Sequence, residues 1–165
     1  MTKTTDDLQA AFSGESQANR KYTAFAKKAD EEGYPQVARL FRAAAAAETV
    51  HALSHFKAMG GVGSTTDNLK AAIAGENYEA TSMYPEFIAD AEAEGGKRAL
   101  TSFRWAWEVE KVHEGLYKQA LESLNQAGET FDYYVCPICG YTHERNAPDK
   151  CPVCGTPGER FERVS

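Results

Sequence analysis

Apolar side chains recur at three- and four-residue intervals along four long stretches of the chain, each closing at a glycine, and this spacing predicts four amphipathic helices. The first stripe runs through Leu8, Ala11, Phe12, Ala18, Tyr22, Ala26 and Ala29. It should start at Thr4 or Thr5, with Asp6 and Asp7 complementing the helix dipole, and end at Gly33. The second opens with Pro35 in its first turn, carries Leu40, Phe41, Ala44 and Ala47, and stops at Gly60-Gly61. A third begins near Thr66 or Asp67 with Leu69, Ala72, Ile73, Ala80, Met83 and Phe87. The fourth runs from about Lys97 to Gln126, through Phe103, Ala106, Trp107, Tyr117 and Leu121, and is closed by Gly128. From Thr130 the pattern changes to short aromatic strands, beginning with Phe131, Tyr133, Tyr134 and Val135.

Charged residues interrupt these apolar faces. Glu48-x-x-His51 and Glu110-x-x-His113 each set a carboxylate and an imidazole on one helix face, and Glu15 and Glu76 lie in the stripes of the other two helices. A carboxylate in a low-dielectric interior must find a partner or neutralise. A pair of divalent metal ions answers for all of them, and one Glu from each of two helices plus a Glu-x-x-His from each of two others is the carboxylate-bridged di-iron pattern. The halves of the chain repeat: Glu48 follows Glu15 by 33 residues and Glu110 follows Glu76 by 34, Glu32-Gly33 matches Glu94-Gly95, and Phe41-Arg42-Ala43 matches Phe103-Arg104-Trp105. The extra residue falls between Glu76 and Gly95, beside Pro85, and is expected to be absorbed as a local bulge. Glu79, one turn after Glu76, has Ala18 as its counterpart, so it either makes the two metal positions inequivalent or sits on the solvated edge of its helix. His55 follows His51 by one turn, but its counterpart is Tyr117, and it is read as a non-ligand. Tyr22 could bond a metal-bound carboxylate or simply fill the core. Trp105 and Trp107 read as core or interface packing residues, and Glu108 as facing solvent or a neighbouring chain.

All four cysteines lie in the last segment, as Cys136-Pro-Ile-Cys139-Gly and Cys151-Pro-Val-Cys154-Gly. Two CxxC knuckles separated by eleven residues are a strong signal for a tetrahedral four-sulfur site, which zinc and iron both satisfy. A segment of about 35 residues cannot bury enough apolar area to fold alone, so the metal is its staple. The expected domains are 1–128, helical, and 129–165, metal-binding. His143, between the knuckles, is read as exposed and idle. The net charge of −6 argues against nucleic acid or an anionic membrane as partner. Met1 to Asp7 has no apolar signal core, and no run could span a bilayer, so the expected location is the cytoplasm. There cysteine pairs mean metal rather than disulfide. GGVG after the second helix lacks the spacing of a nucleotide-binding loop.

Taken in order, Gly14-Glu15-Ser16-Gln17-Ala18, Glu48-x-x-His51-Ala52, Gly75-Glu76-x-x-Glu79, Met83-Tyr84-Pro85-Glu86-Phe87, Glu110-x-x-His113 and the paired CPxCG knuckles resemble the rubrerythrins over essentially the whole chain. The resemblance implies an all-α ferritin-like four-helix bundle with a small C-terminal rubredoxin-like β domain. It implies a di-iron site held by Glu15, Glu48, His51, Glu76, Glu79, Glu110 and His113, with Tyr22 and Tyr84 beside it. It implies one further iron, with zinc as the alternative, on Cys136, Cys139, Cys151 and Cys154. One iron would exchange His51 for Glu79 on oxidation. The implied activity is reduction of hydrogen peroxide to water, in oxidative-stress defence, with electrons from NAD(P)H through a separate reductase or a rubredoxin. Alternatives are a ferroxidase using O2 and a non-enzymatic zinc-ribbon interaction protein. The short connector from Gly60 to Thr66 allows either a plain up-down-up-down bundle or, as the family's site favours, a homodimer in which each chain gives its first hairpin to its partner's second.

Overall fold

A computed structural model of the chain describes residues 2–126 and 128–165. They form two compact units, Met1–Gly63 and Ser64–Ser165. The first is a helical hairpin of α1 (Lys3–Glu31) and α2 (Pro35–Ala58). Thr2 caps α1 by accepting from the Thr5 amide, so the helix begins slightly before the expected Thr4. Gly33 turns the chain in a left-handed conformation, φ +79°. The helices meet through buried alanines, Ala26 and Ala29 on α1 and Ala38, Ala45 and Ala52 on α2, whose small side chains let the backbones approach. Between them the buried Asn19 donates to the Ala45 carbonyl at 2.6 Å and to the Thr49 hydroxyl at 2.8 Å.

The second unit repeats the hairpin with one alteration. Ser64 caps α3 (Thr65–Tyr78), which passes into a π-helical turn (Glu79–Met83) and then α4 (Tyr84–Ala93); α5 (Lys97–Ser123) packs along all three. The predicted third helix is therefore one rod carrying a π turn, where a residue is inserted without breaking the rod. The aromatic trio Tyr22, Phe25 and Phe41 of the first unit recurs as Tyr84, Phe87 and Phe103, with ring separations of 6.3, 6.1 and 5.5 Å against 6.2, 6.4 and 5.6 Å. Arg42 reaches back to Asp30 at 2.6 Å and Arg104 to Glu92 at the same distance. These matched pairs share one register, whereas Glu15 and Glu76 are a residue out of it. The insertion thus falls between Glu76 and Tyr84, at the π turn. The helix α5 ends at Ser123, three residues before the expected Gln126, and Leu124 to Gln126 form a turn.

The remainder of the second unit is a small antiparallel sheet in the order β2-β1-β3: β1 (Tyr133–Val135), β2 (Thr142–Glu144) and β3 (Glu162–Val164). Tyr134 pairs with His143 on one side and Arg163 on the other. His143 is half-buried, not idle: its Nδ1 lies 2.9 Å from the Glu144 carbonyl and 2.8 Å from that of Asn146, tying down a loop in which Arg145 takes φ +69°. Among the described residues no helix is long and apolar enough to cross a membrane.

Candidate metal centres

The two cysteine knuckles are built alike. After each Cys-Pro-x-Cys the chain turns back through a left-handed glycine, Gly140 at φ +84° and Gly155 at φ +79°. Their amides bond to the Cys136 and Cys151 carbonyls, while the Cys136 and Cys151 amides bond to the Tyr141 and Thr156 carbonyls. The four sulfurs converge: Cys136 Sγ is 3.6 Å from Cys154 Sγ, and Cys139 Sγ is 3.5 Å from Cys151 Sγ. Metal–sulfur bonds of about 2.3 Å in tetrahedral geometry need sulfurs about 3.8 Å apart, close to what is found. All four cysteines are free of disulfide bonds. Burial pushes the Cys139 and Cys151 thiols up. It opposes the Cys154 thiolate too, but hydrogen bonds from the Thr156 hydroxyl and amide bring that group down to about 6. Bringing buried thiols together at such spacing favours a cation that takes them all as thiolates.

In the second unit, α3 contributes Glu76 and α5 contributes Glu110 and His113, whose ligating atoms converge closely enough to share one ion. The imidazole Nδ1 is 2.8 Å from Glu110 Oε2 and 4.0 Å from Glu76 Oε1. Burial, then the neighbouring Glu110 carboxylate, pushes Glu76 up to about 7. The hydrogen bond with Glu110 holds His113 above its ordinary range. Glu79, in the π turn, stands outside this trio, yet Glu110 and His113 act on it; burial and Glu110 raise its carboxyl. Tyr84 is half-buried beside the same carboxylates, its phenol held neutral by burial and then by Glu110, Glu79 and Glu76.

The first unit supplies a matching trio, Glu15 from α1 with Glu48 and His51 from α2. A hydrogen bond shared by the carboxyls raises Glu15 and lowers Glu48, and His51 Nδ1 lies 3.1 Å from Glu48 Oε2. Here the imidazole is more open, 56% exposed against 26% for His113. Tyr22 stacks with Phe25 and Phe41 in the aromatic trio. His55 is not among the converging groups, although its charge acts weakly on Glu15.

One residue of this site has no local signal in the sequence. Thr142, on β2, places its hydroxyl 3.0 Å from His113 Nε2, and the same hydroxyl donates to the Gly140 carbonyl at 3.1 Å. Gly140 follows Cys139 directly, and the knuckle rests on the buried Val109 of α5. With Nε2 carrying the proton toward Thr142, Nδ1 keeps its lone pair for the carboxylate side, as a ligand histidine requires. Thr142→Val should weaken cobalt(II) binding at the helical site about tenfold, and Thr142→Ser should restore it, measured by chelator competition with the four-cysteine site left filled.

The acid clusters of the two units fix a pH dependence. Glu76, Glu15 and His113 are all raised in the folded chain, so folding favours their protonated forms. Their contribution is full below the unfolded values and is lost as pH rises through the folded ones, near 7 for Glu76. The metal-free protein should therefore melt at a lower temperature at pH 8 than at pH 5.5. A divalent ion, which displaces those protons, should reverse the trend.

A family model described as rubrerythrin matches residues 6–121, and one described as the rubredoxin-like domain of rubrerythrin matches residues 134–162. Rubrerythrin-2 of Clostridium acetobutylicum is 35% identical over 96% of this chain and 95% of its own length. Nigerythrin of Nitratidesulfovibrio vulgaris is 39% identical over 96% of this chain and 85% of its own length. The solved structure of nigerythrin in its fully reduced, all-ferrous state aligns with a TM-score of 0.61 and 37% identity, covering 99% of this chain and 88% of that one. The chain belongs to the rubrerythrin family, with a di-iron site in its ferritin-like helices and a four-cysteine rubredoxin-like site at its C-terminal end.

Proposed function

We propose that this protein reduces hydrogen peroxide to water in oxidative-stress defence, taking electrons from NAD(P)H through a separate reductase or a rubredoxin. The work divides between 1–128, where peroxide is reduced, and 129–165, where electrons enter. The observation that carries this reading is the bond from Thr142 to His113: it ties the knuckle that holds Cys139 to an imidazole of the di-iron cluster. A route for incoming electrons suits a reductase, which must be refilled after each turnover; a ferroxidase takes its electrons from the iron it oxidises. We assign Glu15, Glu48, His51, Glu76, Glu79, Glu110 and His113 as the di-iron ligands and Cys136, Cys139, Cys151 and Cys154 as the ligands of a single iron. Bound iron supplies electron transfer that no side chain can, two electrons at the pair and one at the four-cysteine centre. Cleaving the O–O bond to two waters also consumes two protons. The Tyr84 phenol stands beside the cluster as a proton holder, and Tyr22 occupies the matching place in the first unit. Glu79, near the trio but outside it, suits a ligand recruited in one oxidation state, exchanging with His51.

Anaerobic stopped-flow mixing of the fully reduced protein with peroxide and with O2 tests the assignment. Peroxide should oxidise the di-iron site at least tenfold faster; equal rates would make it a ferroxidase. Cys139→Ser should abolish NAD(P)H-linked turnover while leaving one stoichiometric oxidation by peroxide. A four-cysteine site that holds zinc in the purified protein, colourless and redox-silent, would remove the relay.

We also propose that the active form is a homodimer, each di-iron site joining the first unit of one chain to the second unit of the other. In a ferritin-like bundle the second and third helices run parallel, so their connection must travel the bundle's length. The 24 residues of α2 rise about 36 Å, whereas the six residues between Ala58 and Thr65 reach about 21 Å. Exposure of His51 and, along the same helix, of Leu40 supports a partner on that face. Refolding a mixture of Glu48→Ala and Glu110→Ala chains should restore activity, because a heterodimer then carries one site with both glutamates. Heterodimers as inactive as either parent would exclude exchange.

A further inference from the structure

The π turn leaves a carbonyl without a helical partner. The Tyr84 amide bonds to the Glu79 carbonyl, five residues back, and so gives up the Ala80 carbonyl four residues back. A continued π pattern would offer Ala80 the amide of residue 85, but Pro85 has none. Ala80 is buried, only 7% exposed, and an unpaired backbone carbonyl there is costly. The missing donor comes across the hairpin: Trp107 Nε1 lies 2.7 Å from the Ala80 carbonyl oxygen. The first hairpin, without an insertion, makes its cross-bond in the opposite sense. There Ala45 occupies the place of Trp107 in the register set by the aromatic trios, and Asn19 of α1 donates to the Ala45 carbonyl. The indole thus goes with the insertion.

We propose that Trp107 is a positioning residue for the metal-site side of the third helix: its indole N–H holds the π turn, and the turn sets the rotation at which Glu76 and Glu79, three residues apart ahead of the insertion, face α5. Were the turn to revert to α-helical pairing, everything before it would rotate by about 100° relative to everything after it. Glu76 and Glu79 would lose their relation to α5 together. The functional part of this inference rests on the proposed roles of Glu76 and Glu79 as ligands; the structural part does not.

Two substitutions remove the donor, Trp107→Phe and replacement of Trp107 by benzothienylalanine, which keeps the bicyclic shape with sulfur in place of the N–H and so guards against simple loss of packing. In the metal-free protein, amide exchange at Tyr84 should quicken about tenfold in both, with exchange in α1 and α2 unchanged. Unchanged exchange at Tyr84 in the benzothienylalanine protein would overturn the proposal. With iron bound, Trp107→Phe should slow peroxide turnover at least as much as Glu79→Ala does, because the turn places Glu76 as well. Turnover at the unsubstituted rate would show that the placing of these carboxylates does not depend on the indole. Should Glu79→Ala leave turnover untouched, the ligand exchange falls, and amide exchange still decides what holds the turn.

Discussion

Carboxylates crowded on an apolar helix face repel one another and resist burial, and the rest of this protein is arranged around relieving that conflict. Each hairpin brings two glutamates and a histidine together, and without a cation the conflict shows as carboxyls pushed above their ordinary range, Glu76 by burial and Glu110, and Glu15 by its hydrogen bond with Glu48. A divalent ion resolves it by replacing several partial neutralisations with one strong interaction. Hydrogen bonds then serve to aim ligands. Without an ion His113 is held at both nitrogens, by Glu110 and by Thr142; once Nδ1 ligates an ion, the bond from Nε2 to Thr142 remains to aim the ring.

The two hairpins show what duplication preserves and what it permits. Aromatic ring separations are retained to within 0.3 Å and the arginine–carboxylate distances are equal, although exposed ion pairs of this kind contribute little energy. They mark register. Against that fixed frame a single inserted residue must be accommodated somewhere between Glu76 and Tyr84, and a π turn does so at the cost of one stranded carbonyl. Just ahead of the inserted residue, Glu79 stands where the first copy has Ala18. A substitution beside the insertion thereby gives one copy a chemical group the other lacks.

The four helices, the paired Glu-x-x-His half-sites and the cysteine knuckles were legible in the sequence because each is a local pattern, set by spacings of three or four residues and by glycines at left-handed positions. The bulge was legible as a count, one residue too many, but its place was known only to lie between Glu76 and Gly95. What stayed hidden were bonds between residues far apart in the chain. Trp107 lies 27 residues from Ala80, and Thr142 lies 29 from His113; nothing in the local pattern distinguishes either from ordinary packing or a strand residue. His143 was misjudged for a related reason, since its partners are carbonyls of a loop whose path a sequence does not reveal.

In the homodimer proposed above, metal binding and assembly belong to one equilibrium. The buried apolar residues of the helices are alanines, with Val109 the only larger one described, while Leu40, Val50, Leu53 and Phe25 are substantially exposed. Alanine contacts set close helix spacing but remove little apolar area, so a hairpin of this composition is weakly held by its own core. Its remaining apolar face and its half-complement of ligands lie on the same helices. In the proposed dimer a second hairpin from a partner chain covers the one and completes the other. There the ion is bound only by the assembled state, so its binding free energy adds to that of assembly by mass action.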